Sequence, residues 1–278
     1  MTESFELSKI GLEWGYQGEY GPLNWCSKFP HAAGNAQSPI DIQDKDAVFD
    51  QNLTKKPLKF FYDAQNFTTI VNTGSSFKIS GLESANSGVV GGAVQDEHKF
   101  LQFHMHWGKD GSTGSEHLIN GKCFAGELHF VNWNRKKYSN DSDAISTNGH
   151  DGLVVLGVLV NVGEHNSEFD KILNCIDDIL LRDGAASIKQ SLDVKKLFPS
   201  DVTSYWTYDG SLTTPPCTQC VKWIVFRECI TLSDAQLAKL RQMYICKRED
   251  QCCEMFRIKD NFRPVCDLNG RKILKSFN

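Results

Sequence analysis

The stretch Leu101-Gln-Phe-His-Met-His-Trp107 alternates apolar and polar side chains at every step. A period of two belongs to a β-strand with one face in a core. Leu101, Phe103, Met105 and Trp107 are expected on the buried face, and Gln102, His104 and His106 on the other. Similar β-rich runs recur outward from this one: Leu58–Tyr62, Phe67–Asn72, Phe77–Ser80, Lys99–Trp107, Phe124–Trp133, Leu153–Val162 and Val221–Phe226. Gly, Asn, Asp and Ser clusters separate them, as turns require. Two helices are expected. One follows Ser167, with apolar residues at Phe169, Ile172, Leu173, Ile176, Ile179 and Leu180. The other follows Ser233, where Gln236 completes a capping box and Leu237, Leu240 and Tyr244 form a stripe. The fold class expected is mixed α/β, mainly β: residues 1–278 as a single domain on a large central twisted sheet, with helices at its periphery.

His104 and His106 share one face of their strand and lie close enough to bind one ion. A His-x-His pair alone is a weak signal, since such residues are more often core or surface histidines. Glu127-Leu-His-Phe-Val131 supplies a third ring: its alternation puts Glu127, His129 and Val131 on one face. Three histidines leave Zn²⁺ an open fourth position, the arrangement of catalytic rather than structural sites. Ligand imidazoles also need an acceptor for the second ring N–H. Gln102 and Glu127 each stand two residues before a candidate ligand, on its face. Neutral ligands leave the ion its full charge, so it can bring a bound water's pKa from ~15.7 to ~7. The His-Glu-x-x-His helix of metalloproteases is absent.

Composition excludes other classes. Apolar residues make up 40% of 278, enough for a core. A formal charge of −4 points to neither nucleic acid nor an anionic membrane as partner, since both favour a basic face. Met1 to Tyr20 carries acids and aromatics where a signal peptide has an apolar run, and the apolar stretch Leu153–Val160 is too short to span a bilayer. The cytosol is the expected compartment. Ten cysteines show no framework spacing, and Cys217-Thr-Gln-Cys220 reads as reduced thiols beside a strand. His31, His98, His150 and His165 are expected mostly at the surface.

Several segments together resemble the α-class carbonic anhydrases. They are Trp14-Gly-Tyr16, Gln37-Ser-Pro-Ile-Asp41, Gln102-Phe-His-Met-His-Trp-Gly108, Gly114-Ser-Glu-His117, Glu127-Leu-His129, Tyr205-Trp-Thr-Tyr208, Gly210-Ser-Leu-Thr-Thr-Pro-Pro216 and Asn261-Phe-Arg-Pro264. The resemblance spans nearly the whole chain. It implies a mostly antiparallel sheet of about ten strands, one Zn²⁺ per chain, and reversible hydration of CO2 to bicarbonate and a proton by attack of zinc-bound hydroxide. His104, His106 and His129 match the zinc ligands; Gln102, Glu127 and the carbonyl of Asn261 match the acceptors behind them. Thr213 matches the residue that orients the nucleophile, with Glu116 accepting its hydrogen. His117 and Tyr208 look like braces. Thr214 matches the substrate mouth, and Val131, Val155, Leu212, Val221 and Trp223 resemble the apolar wall for CO2. Anions and sulfonamides are the implied inhibitors, and a monomer the implied state.

Tyr16, Thr73, Ser75 and Lys78 fall in the implied proton-transfer region. Fast members carry a histidine where this chain has Ser75, and serine cannot titrate near neutral pH. Lys78 would add positive charge beside the metal. Proton transfer is therefore expected to limit turnover. Cys217 matches a disulfide cysteine of secreted members whose partner position reads Ala32 here. Two alternatives stay open: a weak or non-catalytic binding protein on the same fold, and a zinc esterase as side activity.

Overall fold

The computed structural model describes residues 10–147, 149–250 and 254–278. In chain order its strands are β1 (Asp41–Ile42), β2 (Val48–Phe49), β3 (Lys59–Phe61), β4 (Phe67–Asn72), β5 (Phe77–Gly81), β6 (Gly88–Gly91), β7 (Val94–Trp107), β8 (Leu118–Ile119), β9 (Gly126–Trp133), β10 (Leu153–Val162), β11 (Ala185–Ser187), β12 (Tyr205–Gly210), β13 (Val221–Phe226), β14 (Ile230–Leu232) and β15 (Leu274–Lys275). Ten of them run edge to edge as β11-β4-β5-β7-β9-β10-β13-β12-β15-β2; β14 pairs with β10, β6 with β7 and β3 with β6. Within this sheet, pairing is antiparallel except at β10–β13, β10–β14 and β15–β2. The expected mainly β sheet with peripheral helices is what the chain forms. No helix among the described residues is long and apolar enough to cross a membrane.

Strand alternation sorts the side chains into two apolar layers. Phe103, Met105, Trp107, Leu128, Phe130, Val154, Leu156, Val158, Ile224 and Phe226 enter one core. Val131, Leu153, Val155, Leu159, Val221, Trp223 and Val225 enter the other. Each such side chain contributes roughly 1.5–3 kcal/mol when fully buried. The histidine-bearing face of β7 and β9 belongs to the second layer.

Leu101 departs from expectation. The β7–β9 register shifts between Phe100 and Gln102, so one residue is extra there. A bulge of this kind turns the following side chains over. Leu101 packs against the second core while Phe100 joins the first.

The helix expected after Ser167 is shorter and capped elsewhere. Asn166 Oδ1 accepts from the N–H groups of Glu168 and Phe169. One α-turn, α1 (Asp170–Leu173), then gives way to a 3₁₀ segment at Ile176–Ile179. Leu173, Ile176 and Ile179 are three residues apart, which lines up one face of a 3₁₀ helix, and all three are buried. The second helix, α2 (Asp234–Leu240), begins with the full Ser233–Gln236 capping box. Tyr244 lies beyond its end, bridged to Arg257.

Candidate metal centre

Antiparallel pairing of β7 with β9 sets His104 directly opposite His129 and His106 opposite Glu127. The neighbouring strands extend that row, with Lys78 opposite His104 on one side and Gly157 opposite His129 on the other. The three ring centroids stand 5.1, 5.3 and 4.6 Å apart. One ligand atom from each ring lies within 4.8 Å of the others.

Acceptors behind the rings fix where their protons sit. His106 Nδ1 lies 2.7 Å from the Asn261 carbonyl oxygen, and His129 Nε2 lies 2.8 Å from Glu127 Oε1. His104 Nδ1 lies 2.9 Å from Gln102 Oε1. Carbonyl and carboxylate oxygens only accept, so each of these nitrogens carries the hydrogen. The opposite nitrogens, His104 Nε2, His106 Nε2 and His129 Nδ1, then present bare lone pairs. His106 Nε2 and His129 Nδ1 face each other at 3.1 Å with no proton to share.

That contact is repulsive alone and fits a shared cation: Zn–N bonds of about 2.0–2.1 Å put tetrahedral nitrogens roughly 3.3 Å apart. Glu116 Oε2 stands 3.4 Å from His106 Nε2 and makes no hydrogen bond, although it is fully buried. The donor set therefore fits a divalent metal.

Charge is distributed to keep the rings neutral. Burial lowers all three histidine pKa values, that of His106 to about 4; Lys78 also disfavours charge on His104. Burial opposes the charge on Glu127, yet His117 and His129 outweigh it and hold the carboxyl well below its ordinary range. Glu127 accepts four hydrogen bonds: from His129 Nε2 (2.8 Å), His117 Nδ1 (2.7 Å) and the backbone N–H groups of Glu116 (3.0 Å) and His117 (2.8 Å). His117 Nε2 is 2.7 Å from the Tyr208 hydroxyl, which is 2.8 Å from Ser38 Oγ. The Trp223 ring stands edge-on to His117 and His129 at 4.7 and 4.8 Å.

Burial pushes Glu116 up to about 7, against the pull of His129 and of the Thr213 hydroxyl beside it. Its Oε1 accepts from the Arg263 N–H at 2.8 Å. Val131, Val155, Val221 and Trp223 are buried in the second core, and half-buried Leu212 packs on it; Thr214 is half-buried. Thr73 Oγ1 lies 3.1 Å from Ser75 Oγ in the β4–β5 loop. The Asn261 side chain donates to the Ser75 carbonyl at 2.7 Å, tying this loop to the acceptor of His106. Tyr16 packs on Trp14 and Trp25; burial, then Glu116, raises its hydroxyl well above the ordinary tyrosine range. Beside Ser75 lies a cavity of about 110 Å³ also lined by Trp14, Tyr16, Thr73 and Asn261.

Ser38, Arg263 and Gly157 also build the centre, although no local pattern in the sequence marks them for a role. Arg263 Nη1 donates to Gln37 Oε1 and the Ser38 carbonyl at 2.8 and 2.9 Å. The sequence signal for Ser38 and Arg263 is their place in the Gln37–Asp41 and Asn261–Pro264 segments. A Cβ on Gly157 would come 3.1 Å from Glu127 Oε1, tighter than an ordinary contact, so a side chain there would crowd the carboxylate. Cys217 and Cys220 are free and buried, and burial pushes both thiols up to about 12, which disfavours the thiolate at neutral pH. Cys26 is free as well, and Cys246 is disulfide-bonded. His98, expected at the surface, is 3% exposed.

Residues 20–277 match the family described as eukaryotic-type carbonic anhydrase. Carbonic anhydrase 1 of Mus musculus is 40% identical over 266 residues, covering 95% of this chain and 98% of that protein. Carbonic anhydrase 7 of Mus musculus is 38% identical over 265 residues, covering 95% and 97%. This chain belongs to the eukaryotic-type carbonic anhydrases.

Proposed function

We propose that the chain binds one Zn²⁺ through His104, His106 and His129 and catalyses reversible hydration of CO2 to bicarbonate and a proton. The observation that carries this is the convergence of three unprotonated nitrogens, each fixed by an acceptor behind it. Bound there, zinc supplies a Lewis acid that makes hydroxide available at neutral pH, with a water pKa of about 7 known for carbonic anhydrases as a class.

The chain's own residues do the rest. Glu127, Gln102 and the Asn261 carbonyl orient the ligand rings, and His117 and Tyr208 brace Glu127. Glu116, free at Oε2, would accept the hydrogen of the Thr213 hydroxyl beside it, which would leave the Thr213 oxygen free to accept from a nucleophile. Thr214 stands at the substrate mouth. Val131, Val155, Leu212, Val221 and Trp223 offer an apolar wall suited to an uncharged gas. Each turnover must pass one proton from the attacking water to solvent. Tyr16, Thr73, Ser75 and Lys78 flank that route, and among them Ser75 cannot carry a proton near neutral pH, so proton transfer limits the rate.

Anions and sulfonamides are the expected inhibitors of the open position. A cytosolic monomer without nucleic-acid or membrane partner completes the proposal; cell fractionation and size-exclusion chromatography test it. The direct test of function is stopped-flow CO2 hydration on protein of measured zinc content. Turnover in proportion to zinc, lost in His104→Ala, is expected. Zinc-replete protein without CO2 turnover would instead mark a non-catalytic binder, and ester turnover exceeding CO2 turnover an esterase.

A further inference from the structure

Lys78 on β5 stands directly opposite His104 on β7. Its neighbours Phe77 and Ile79 are wholly buried in the first core. Alternation therefore turns Lys78 to the other face of the sheet, the one that carries His104 and His106. Residues that face each other across an antiparallel pair hold their Cβ atoms about 4.5–5.5 Å apart. From there a flexible four-carbon stem carries the ammonium. The side chain is half-buried, and its charge reaches the His104 ring, where it disfavours protonation.

No carboxylate neutralises this cation: among the described residues Lys78 forms no ion pair and no side-chain hydrogen bond. The groups beside it on the strands are uncharged. Val71 faces it from β4, and Gln102 precedes His104 on β7. The two acids of the centre are committed elsewhere. Glu127 accepts from His117, His129 and two backbone N–H groups, and Glu116 accepts from the Arg263 N–H. A metal held by neutral rings keeps its full charge, so the face carries two positive centres, the ion and Lys78, with no counter-charge between them. A cleft lined by charge of one sign concentrates ligands of the opposite sign.

We propose that Lys78 is a specificity-determining residue that makes the site prefer ligands with two separate negative groups, one for the metal and a second, such as a carboxylate, for the Lys78 ammonium. The inference rests on zinc binding by His104, His106 and His129. It concerns selection among charged ligands; uncharged CO2 gains no charge–charge attraction from Lys78.

Two probes of nearly equal shape isolate the second charge: 4-sulfamoylbenzoate, with an anionic tail, and 4-sulfamoylbenzamide, with a neutral one. Both present the same sulfonamide to zinc, so the ratio of their Kd values cancels the contribution of the head. Titration calorimetry on the zinc-loaded protein at low salt should show the carboxylate binding about three- to tenfold tighter, the range expected for unit charges several ångströms apart in a half-buried site. Raising salt from about 0.01 to 0.15 M shortens the screening length from about 30 to 8 Å and should shrink the preference. Lys78→Met keeps the length of the side chain and should abolish it, whereas Lys78→Arg should retain it. The salt series on the parent protein needs no variant and stays decisive if Lys78→Met folds poorly. Equal affinities of the parent for the two probes, a preference indifferent to salt, or one that persists in Lys78→Met would overturn the role of Lys78 while leaving zinc binding intact. Zinc-loaded protein that binds neither probe would overturn the open zinc site, and this inference with it.

Discussion

Glu127 and His129, two residues apart on one face of β9, are joined by a 2.8 Å hydrogen bond from Nε2 to Oε1. That bond decides which nitrogen of His129 faces the metal, and the carboxylate strengthens the ring as a donor. Glu127→Gln keeps the shape and loses the charge. Partners of this kind typically account for 10–100-fold in metal affinity. Zinc affinity of Glu127→Gln, measured by chelator competition, should fall within that range; an unchanged affinity would contradict the role given to Glu127.

Gly157→Ala tests the same carboxylate from the neighbouring strand. Its Cβ would crowd Glu127 Oε1 at 3.1 Å. Burying extra atoms in a packed core typically costs about 1–3 kcal/mol. Both the urea midpoint and zinc affinity should drop. A lower midpoint with intact zinc affinity would show that the strand gives way and the carboxylate does not.

Acid should weaken the metal-free protein. Burial holds His106 at about 4 against an ordinary 6.5. Between those values the unfolded chain takes up a proton that the fold refuses, so stability falls as pH drops from 6.5 toward 4. His104 and His129 shift in the same direction. Glu116 acts oppositely: raised from 4.5 to about 7, it contributes stability below 4.5 that is lost as pH rises toward 7. Three histidines outweigh one carboxyl. The urea midpoint of chelator-stripped protein should therefore be lower at pH 5 than at pH 7, and Glu116→Gln should widen the difference. Equal midpoints would contradict buried, neutral histidines.

Proton transfer should respond to a titrating group placed at Ser75. The cavity beside it gives an imidazole ring room. Ser75→His should raise kcat several-fold, and imidazole buffer should raise kcat of the parent enzyme in a concentration-dependent way. kcat/KM for CO2, which precedes the proton step, should stay constant. A kcat indifferent to both would place the slow step elsewhere.

Strand periodicity made most of the sheet legible in the sequence. β4 at Phe67–Asn72, β10 at Leu153–Val162 and β13 at Val221–Phe226 match their apolar runs residue for residue. The residues 94–98 that open β7 carry Gln, Asp, Glu and His, with no apolar alternation; they are extended because β6 pairs with them, a tertiary effect on weak local preference. Gly88–Gly91 is too short and glycine-rich to read as a strand alone. Leu101 changed sides at a bulge that alternation cannot show.

Much of the metal centre was legible for the same reason: His-x-His and Glu-x-His patterns become faces once their strands are known. The Asn261 carbonyl stands 155 residues from His106 in sequence, and no local pattern links them. Only family resemblance pointed there.

X-ray absorption at the zinc edge on the loaded protein tests the centre most directly. Three imidazole nitrogens and one exchangeable oxygen at about 2.0–2.1 Å, with one nitrogen lost in His129→Ala, are predicted. A sulfur neighbour, a fourth protein ligand in place of the oxygen, or a spectrum indifferent to His129→Ala would contradict an open three-histidine zinc site.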